Sequence, residues 1–210
     1  MHRSQTLFIV RHVHSSINAE GCSHLTFDPP VSELGRVQLR RLESLVDVMD
    51  PHLVVVSPLS RALETAVHLF QCYIPDGHND FVPIVVTDNA REVNGGAEFI
   101  AEHRRSASEI EHLFPGVSTA GLREANNDIK EHLVDLRRRA LNLLKDICQS
   151  DAERVVVVSH FHIMAEFLRL FPISPSVQGI DLKNGGVIRI RLDRDGTHGV
   201  GFRSVAVEPL

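Results

Sequence analysis

The sequence has few cysteines, no long apolar run and no excess of basic charge, and each absence excludes a class of protein. Cys22, Cys72 and Cys148 stand at wide, unpatterned spacings, which argues against a disulfide framework or a CxxC-type zinc site. The apolar run at residues 7–10 is too short for a signal-peptide core, and no uncharged stretch approaches the roughly 20 residues that cross a bilayer. Because 22 Lys and Arg stand against 27 Asp and Glu, the net charge of −5 argues against a protein that binds duplex nucleic acid. We therefore expect a soluble, cytoplasmic protein without a membrane or nucleic-acid partner, and the sequence leaves open whether it forms a homodimer.

What the sequence has in unusual number is histidine, with 13 in 210 residues. Hydrophobic residues make up 43% of the chain and charged residues 23%, an ordinary globular balance. The length favours one domain over residues 1–210. Histidine has the side-chain pKa nearest neutrality, so this number suggests chemistry that uses imidazole.

Strand and helix patterns alternate along the chain. Short apolar runs at residues 7–10, 53–56, 84–86 and 155–158 are typical of buried parallel strands. Helical spacing follows at 32–49, with Ser32 as the N-cap, and at 59–70, 128–148 and 163–170. Residues 186–207 predict a β-hairpin that turns at 193–196. This order predicts an α/β fold: a three-layer α/β/α sandwich with a mostly parallel central sheet and an antiparallel edge strand.

The weaker periodicity of residues 93–127 predicts a small cap inserted into this domain, with a short helix near 106–114. Specificity should reside in this insert, which carries His103, Arg104, Arg105 and His112. In the long helix that follows, the run 137–139 (Arg-Arg-Arg) is interpreted as a solvated face.

Ligands of α/β sheets bind beyond the carboxyl ends of the strands, so the residues after each strand are the candidates for a site. The first strand leads to Arg11 and His12, the second to Arg61, and the fourth to His160; Glu92 follows the third. Guanidinium groups fit phosphate oxygens two at a time. A neutral imidazole could attack phosphorus, and a carboxylic acid whose pKa is raised by burial could protonate the leaving oxygen. This scheme requires no metal or cofactor.

These residues lie in motifs that resemble those of the histidine phosphatase superfamily, also called the phosphoglycerate-mutase-like superfamily. The opening Arg-His motif is matched at Arg11, His12, Ser15 and Asn18. Residues 57–66 (SPLSRALETA) are an almost complete copy of a second motif, and residues 28–38 and 157–160 resemble two more. The match is most similar to the small plant and fungal branch.

The resemblance implies a phosphomonoester hydrolase with a phosphohistidine intermediate, acting on a small phosphorylated metabolite. His12 would be the nucleophile and Glu92 the proton donor, while Arg11, Arg61 and His160 would hold the phosphate with Ser15 and Asn18 nearby.

The sequence departs from the family pattern after both histidines. Val13 replaces a glycine, and we expect its side chain to point into the core. Phe161 and His162 replace small residues, so two bulky rings enter the phosphate pocket or its rim. The replacements also create two His-x-His pairs, His12/His14 and His160/His162. Pairs of this kind present imidazoles to Zn²⁺ in other proteins, although we expect His14 and His162 to face substrate and no metal to be bound.

Three hypotheses therefore stand. The first is the metal-independent phosphatase. The second is a repurposed enzyme (a lyase, isomerase or hydrolase) that uses His12, Glu92, His160 and His162 as acid/base groups on a small organic acid. The third, a non-catalytic anion-binding protein, ranks last because His12, Arg61 and Glu92 are all present.

Overall fold

The computed structural model describes residues 3–19, 26–97, 99–171, 182–194 and 202–209. The strands are β1 (Arg3–Arg11), β2 (Leu53–Val56), β3 (Ile84–Val86), β4 (Val117–Ser118), β5 (Arg154–Ser159), β6 (Val187–Arg194) and β7 (Phe202–Pro209). They form one sheet in the order β4-β3-β2-β5-β1-β6-β7. The first five strands of this order run parallel, and β6 pairs antiparallel with both β1 and β7.

The helices are α1 (Glu33–Leu42), α2 (Val46–Met49), α3 (Ser60–Phe70), α4 (Ala107–Leu113), α5 (Leu133–Gln149) and α6 (Phe161–Leu168). Short 3-10 helices lie at Ser16–Asn18, Glu43–Leu45, Asp88–Ala90 and Ile100–Glu102. Within the described residues, no helix is both long and apolar enough to cross a membrane.

Strands β1, β2 and β5 bury side chains on both of their faces, since successive side chains point to opposite sides of the sheet. In β1, Phe8 and Val10 pack into a core shared with α1, α2 and α3. Leu7 and Ile9 pack into a second core with α5 and α6. The three-layer α/β/α architecture with a mostly parallel sheet is therefore confirmed.

Most predicted elements are found close to their predicted positions. Ser32 caps α1 as predicted, since its Oγ accepts a hydrogen bond from the Gly35 N–H at 3.2 Å. The predicted helix at 32–49 is interrupted by the 3-10 turn Glu43–Leu45. The hairpin is present as β6 and β7, while residues 195 and 196 of its predicted turn lie outside the described residues.

Helix α5 begins at Leu133, five residues later than the apolar spacing predicts. The preceding residues are tied to the loop after β3: the Glu131 N–H donates to the Asn94 carbonyl at 2.8 Å, and the Glu131 carboxylate pairs with Arg139. These contacts hold the backbone before His132 out of the helix.

Candidate active site

The hydrogen-bond ladder between β1 and β5 brings the two motif histidines to the same level of the sheet. Arg11 stands opposite Ser159 in the register, and the His12 N–H donates to the Ser159 carbonyl at 2.9 Å. His12 and His160 therefore each lie one residue beyond a paired position. Their ring centroids are 4.8 Å apart. We call these two histidines together with Arg11 and Arg61 the pocket floor.

His12 is buried, and its ring orientation is set by its own backbone. Its Nδ1 lies 2.7 Å from the Val13 carbonyl oxygen. A carbonyl oxygen can only accept, so Nδ1 carries the proton and Nε2 keeps its lone pair. Burial, together with the charges of Arg61 and Arg11, holds the pKa of His12 well below its ordinary value. The neutral imidazole required of a nucleophile is therefore the stable form.

His160 is equally buried and also neutral. Burial, Arg61 and His12 hold its pKa well below the ordinary value. Its Nε2 lies 2.7 Å from the Ser57 Oγ. Its buried Nδ1 has no hydrogen-bond partner among the residues that the structure describes. A buried polar atom without a partner is costly, which favours an anion oxygen as its partner during function.

Two arginines give the pocket floor its positive charge. Arg11 ends β1, donates from Nη1 to the Leu182 carbonyl at 2.5 Å, and lies 5.4 Å from the centre of the Phe161 ring. Arg61 lies in the first turn of α3 and is 1% exposed. That turn is held by Asp28, whose carboxylate accepts from the Ser60 N–H at 2.8 Å.

The segment after His12 is held by residues 28–38, one of the motifs that resemble the family's. The His14 N–H donates to Gln38 Oε1 at 2.7 Å, and His14 Nδ1 lies 2.7 Å from Ser32 Oγ. Gly35 permits this approach, since a Cβ at its position would lie 2.1 Å from the His14 carbonyl oxygen. His14 thus contacts the N-terminal end of α1. Val13 is completely buried in the core, as we inferred for this replacement of glycine.

Ser15 and Asn18 bond to each other beside the pocket floor. The Ser15 Oγ and N–H both lie 3.0 Å from Asn18 Oδ1. Asn184, which sequence reasoning missed, donates from Nδ2 to the His12 carbonyl at 3.1 Å and to Asn18 Oδ1 at 3.3 Å. It lies in the loop before β6, far along the chain, and no sequence spacing indicates its place.

Glu92, Glu102, Phe161 and His162 surround this floor, and we call them the pocket rim. Glu92 Oε1 accepts from the Val93 N–H at 2.8 Å, and Oε2 accepts from the His162 N–H at 3.2 Å. The His162 Nδ1 lies 3.3 Å from the same Oε2. Burial acts to raise the pKa of Glu92, but His162 and the Val93 N–H outweigh it, so the pKa lies below its ordinary value. Burial alone therefore does not give this carboxyl the raised pKa that an acid role requires.

Glu102 is the main rim residue that sequence reasoning missed. Its Oε2 accepts from Arg61 Nη2 at 2.7 Å, while Arg61 Nη1 donates to the Ala101 carbonyl at 3.2 Å. Burial raises the pKa of Glu102 against the opposing charge of Arg61. The 3-10 helix Ile100–Glu102 therefore covers the arginine that the family resemblance assigns to phosphate.

Phe161 and His162 flank the pocket floor. Phe161 is 41% exposed and meets the His162 ring edge-on, with centroids 5.3 Å apart. The bulky pair thus stands at the rim, one of the two positions expected for it. Since His14 contacts Ser32 and His162 pairs with Glu92, the His-x-His pairs do not converge. Among the described residues, no group of three His, Cys, Asp or Glu side chains is placed to hold a metal ion.

Two of the basic residues expected to carry specificity in the insert are internal. Arg104 is buried and donates to both Asp88 oxygens, at 2.7 and 3.0 Å. His103 is buried, with Nε2 lying 3.2 Å from the Gly96 carbonyl. These two side chains are engaged inside the protein, so any specificity of the insert would depend on its other residues.

The interpretation of residues 137–139 as a solvated face is wrong for Arg139. Its Nη1 donates to the Arg91 carbonyl at 2.7 Å, and Nη2 donates to the Glu92 carbonyl at 3.3 Å. Glu131 neutralises it at 2.6 Å. Arg139 thus positions the Glu92 backbone, whereas Arg137 and Arg138 are more than half exposed.

The sheet and its floor define an α/β protein in which two neutral histidines and two arginines gather beyond the strand ends. The sequence model of the histidine phosphatase superfamily (branch 1) matches residues 7–204, and the chain belongs to this superfamily. It is 26% identical over 195 residues to the Arabidopsis thaliana phosphoglycerate mutase-like protein 1, covering 76% of this chain and 69% of that protein.

Solved structures share the fold. The mycobacterial glucosyl-3-phosphoglycerate phosphatase superposes with a TM-score of 0.59 at 21% identity, covering 98% of this chain and 96% of that one. The Shigella flexneri alpha-ribazole phosphatase superposes with a TM-score of 0.62 at 17% identity, covering 89% and 90%.

Proposed function

We propose that this chain hydrolyses a phosphomonoester of a small metabolite through a phosphohistidine on His12. The observation that carries the proposal is the state of His12: its proton is held at Nδ1 by the Val13 carbonyl, so Nε2 keeps its lone pair, and burial with the charges of Arg61 and Arg11 keeps the ring neutral. Residues 93–127 act in this proposal as a cap on the single catalytic domain.

Each floor residue has a task in the reaction. The phosphate dianion is held by Arg11 and Arg61 and accepts from the N–H of His160 Nδ1, because Ser57 occupies Nε2 of that ring. Arg61 also offers its buried Nε, which has no hydrogen-bond partner among the described residues.

Chemistry then proceeds in two displacements. The His12 Nε2 bonds to phosphorus while the ester P–O bond breaks and the leaving oxygen takes a proton from the rim. Water next attacks phosphorus, returns a proton to the rim and releases inorganic phosphate with neutral His12. The residues of this scheme carry both steps with no metal.

One observation favours the alternative of a repurposed acid/base enzyme. Both Nη atoms of Arg61 are engaged by the insert, through Ala101 and Glu102. A substrate without phosphate would leave this contact intact, whereas a phosphoester competes with it.

Steady-state hydrolysis of p-nitrophenyl phosphate separates the two functions. We expect the wild-type chain to turn over and His12→Asn to lose about 10³-fold or more in kcat, since the nucleophile is removed. His68→Gln is the matched control, because His68 is an exposed histidine paired with Glu43. Turnover that survives His12→Asn, or none in the wild type with any aryl phosphate, would overturn the proposal.

A further inference from the structure

His162 is placed to act on the reaction through Glu92. Its backbone N–H and its Nδ1 approach the same carboxylate oxygen, Glu92 Oε2, at 3.2 and 3.3 Å. The other oxygen is already engaged by the Val93 N–H. A carboxylate with donors on both oxygens is held as the anion, and an anion has no proton to give.

The proton that the leaving oxygen needs must therefore come from a group next to Glu92. The imidazole of His162 is favoured in its protonated form by Glu92, and its pKa is raised. Glu102 acts in the same direction and Arg11 against it. The His162 side chain is 60% exposed and that of Glu92 10%, so the imidazole can exchange protons with solvent.

From this geometry, and resting on the proposed phosphatase function, we propose that His162 is a positioning residue that loads Glu92 with the proton given to the leaving oxygen. As His12 Nε2 bonds to phosphorus and the P–O bond breaks, the leaving oxygen takes a proton from Glu92 Oε2, and Glu92 takes one from His162 Nδ1. When water attacks the phosphohistidine, one water proton returns through Glu92 to His162 and the other stays on the released phosphate. Glu92 and His162 thus return to the protonation states in which they started.

The dependence on leaving group tests this role. Alkoxide leaving groups need a proton, whereas p-nitrophenolate leaves without one. In His162→Gln we expect kcat/KM, which ends at P–O cleavage, to fall about 10- to 100-fold for an alkyl phosphate, at the low end of general-acid effects. We expect kcat/KM for p-nitrophenyl phosphate to change less than about threefold, because its P–O bond breaks on the same floor without the acid.

The pH profile gives a second readout. The wild-type chain keeps the proton until His162 titrates, so kcat/KM for the alkyl phosphate should fall as pH rises past the raised pKa of His162. In His162→Gln the alkaline limb should move to lower pH, where Glu92 titrates alone. In a Glu92→Gln background His162→Gln should cost little more, since the two act as one unit. His68→Gln, which removes a surface His–Glu pair, is the matched control.

The outcomes separate this inference from the proposed function. Equal losses for both substrates, an unmoved alkaline limb, or effects of His162→Gln and Glu92→Gln that simply add would assign His162 a structural role and overturn the inference while the phosphatase stands. Absence of wild-type turnover with either ester would overturn the proposed function itself.

Discussion

The pocket floor and the pocket rim differ in how they hold charge. On the floor, His12 and His160 are at most 3% exposed, and burial and the arginines keep them neutral. On the rim, the charges of Glu92 and His162 are stabilised by pairing. The floor is built on strand ends and the rim partly on loops. The comparison teaches that burial holds the groups that the family resemblance assigns to phosphate, whereas pairing holds the groups that we propose to protonate the substrate.

The largest effect on activity and stability should come from the contact between Arg61 on the pocket floor and Glu102 on the pocket rim. Arg61→Gln should lower kcat/KM at least about 100-fold, the cost of losing a charged donor to the transition state. It also leaves Glu102 buried without its partner, which costs about 3–5 kcal/mol of the free energy of unfolding. Kinetics and urea unfolding measure the two effects. The double variant Arg61→Gln/Glu102→Gln should recover most of the stability and none of the activity; recovery of activity would contradict the role of Arg61.

Because the histidines of the pocket floor are neutral in the folded protein, we expect the free energy of unfolding to fall in acid. The folded-state pKa of His160 lies well below its unfolded value, so its contribution to stability is complete above about pH 6.5 and is lost as pH falls below that value, at about 1.4 kcal/mol per pH unit. Urea unfolding at pH 7.5 and 5.5 measures this loss. Between the two pH values the free energy of unfolding should fall by about 1.4 kcal/mol less in His160→Gln than in the wild type. Equal losses would show that His160 is protonated in the folded state.

Glu102 accepts a hydrogen bond from Arg61 Nη2 at 2.7 Å, so in the proposed function it competes with phosphate for this arginine. Glu102→Gln should therefore lower the inhibition constant of inorganic phosphate about five- to tenfold near pH 7.5, because a charge-assisted hydrogen bond of about 1.5–3 kcal/mol is partly regained by the ligand. Burial raises the pKa of Glu102, so the wild-type carboxyl protonates at a higher pH than an ordinary glutamate, and the ratio between variant and wild type should shrink as pH falls. Glu109→Gln, on the fully exposed face of α4, is the control. An unchanged constant would place the phosphate away from Arg61.

The smallest expected effect, a change in KM, comes from removing the Phe161 ring at the pocket rim. Phe161 lies under Arg11 at 5.4 Å, and an exposed contact of this kind is worth about 0.5–1 kcal/mol. Phe161→Ala should thus change KM for p-nitrophenyl phosphate only about two- to fivefold. Phe27→Ala removes a comparably exposed ring from Arg105, at 5.2 Å, and should leave KM unchanged. A much larger change in Phe161→Ala would make the ring part of the substrate pocket.

Much of the floor could be predicted from sequence because it depends on strand ends. Parallel strands bring their carboxyl ends to one edge, so a short apolar run followed by Arg11 and His12 already predicts where these side chains lie. Ser32 as an N-cap and Val13 as a core residue follow from equally local rules.

The rim could not be predicted, because its residues are placed by contacts between distant segments. Glu102 reaches Arg61 only because the insert folds back over α3, and Asn184 reaches His12 from the far end of the chain. Arg139 belongs to a helical charge pattern that is usually solvated, yet the loop after β3 supplies backbone carbonyls that it binds. Helix α5 begins later than predicted for the same reason, since Glu131 before it is bound to the loop after β3.

Trapping of the phosphorylated enzyme tests the central claim most directly. After rapid mixing with ³²P-labelled substrate and an alkaline quench, in which phosphohistidine survives, we expect label on the peptide that contains His12 and none in His12→Asn. Label on another residue, or steady turnover by the wild-type chain with no labelled enzyme, would contradict the account.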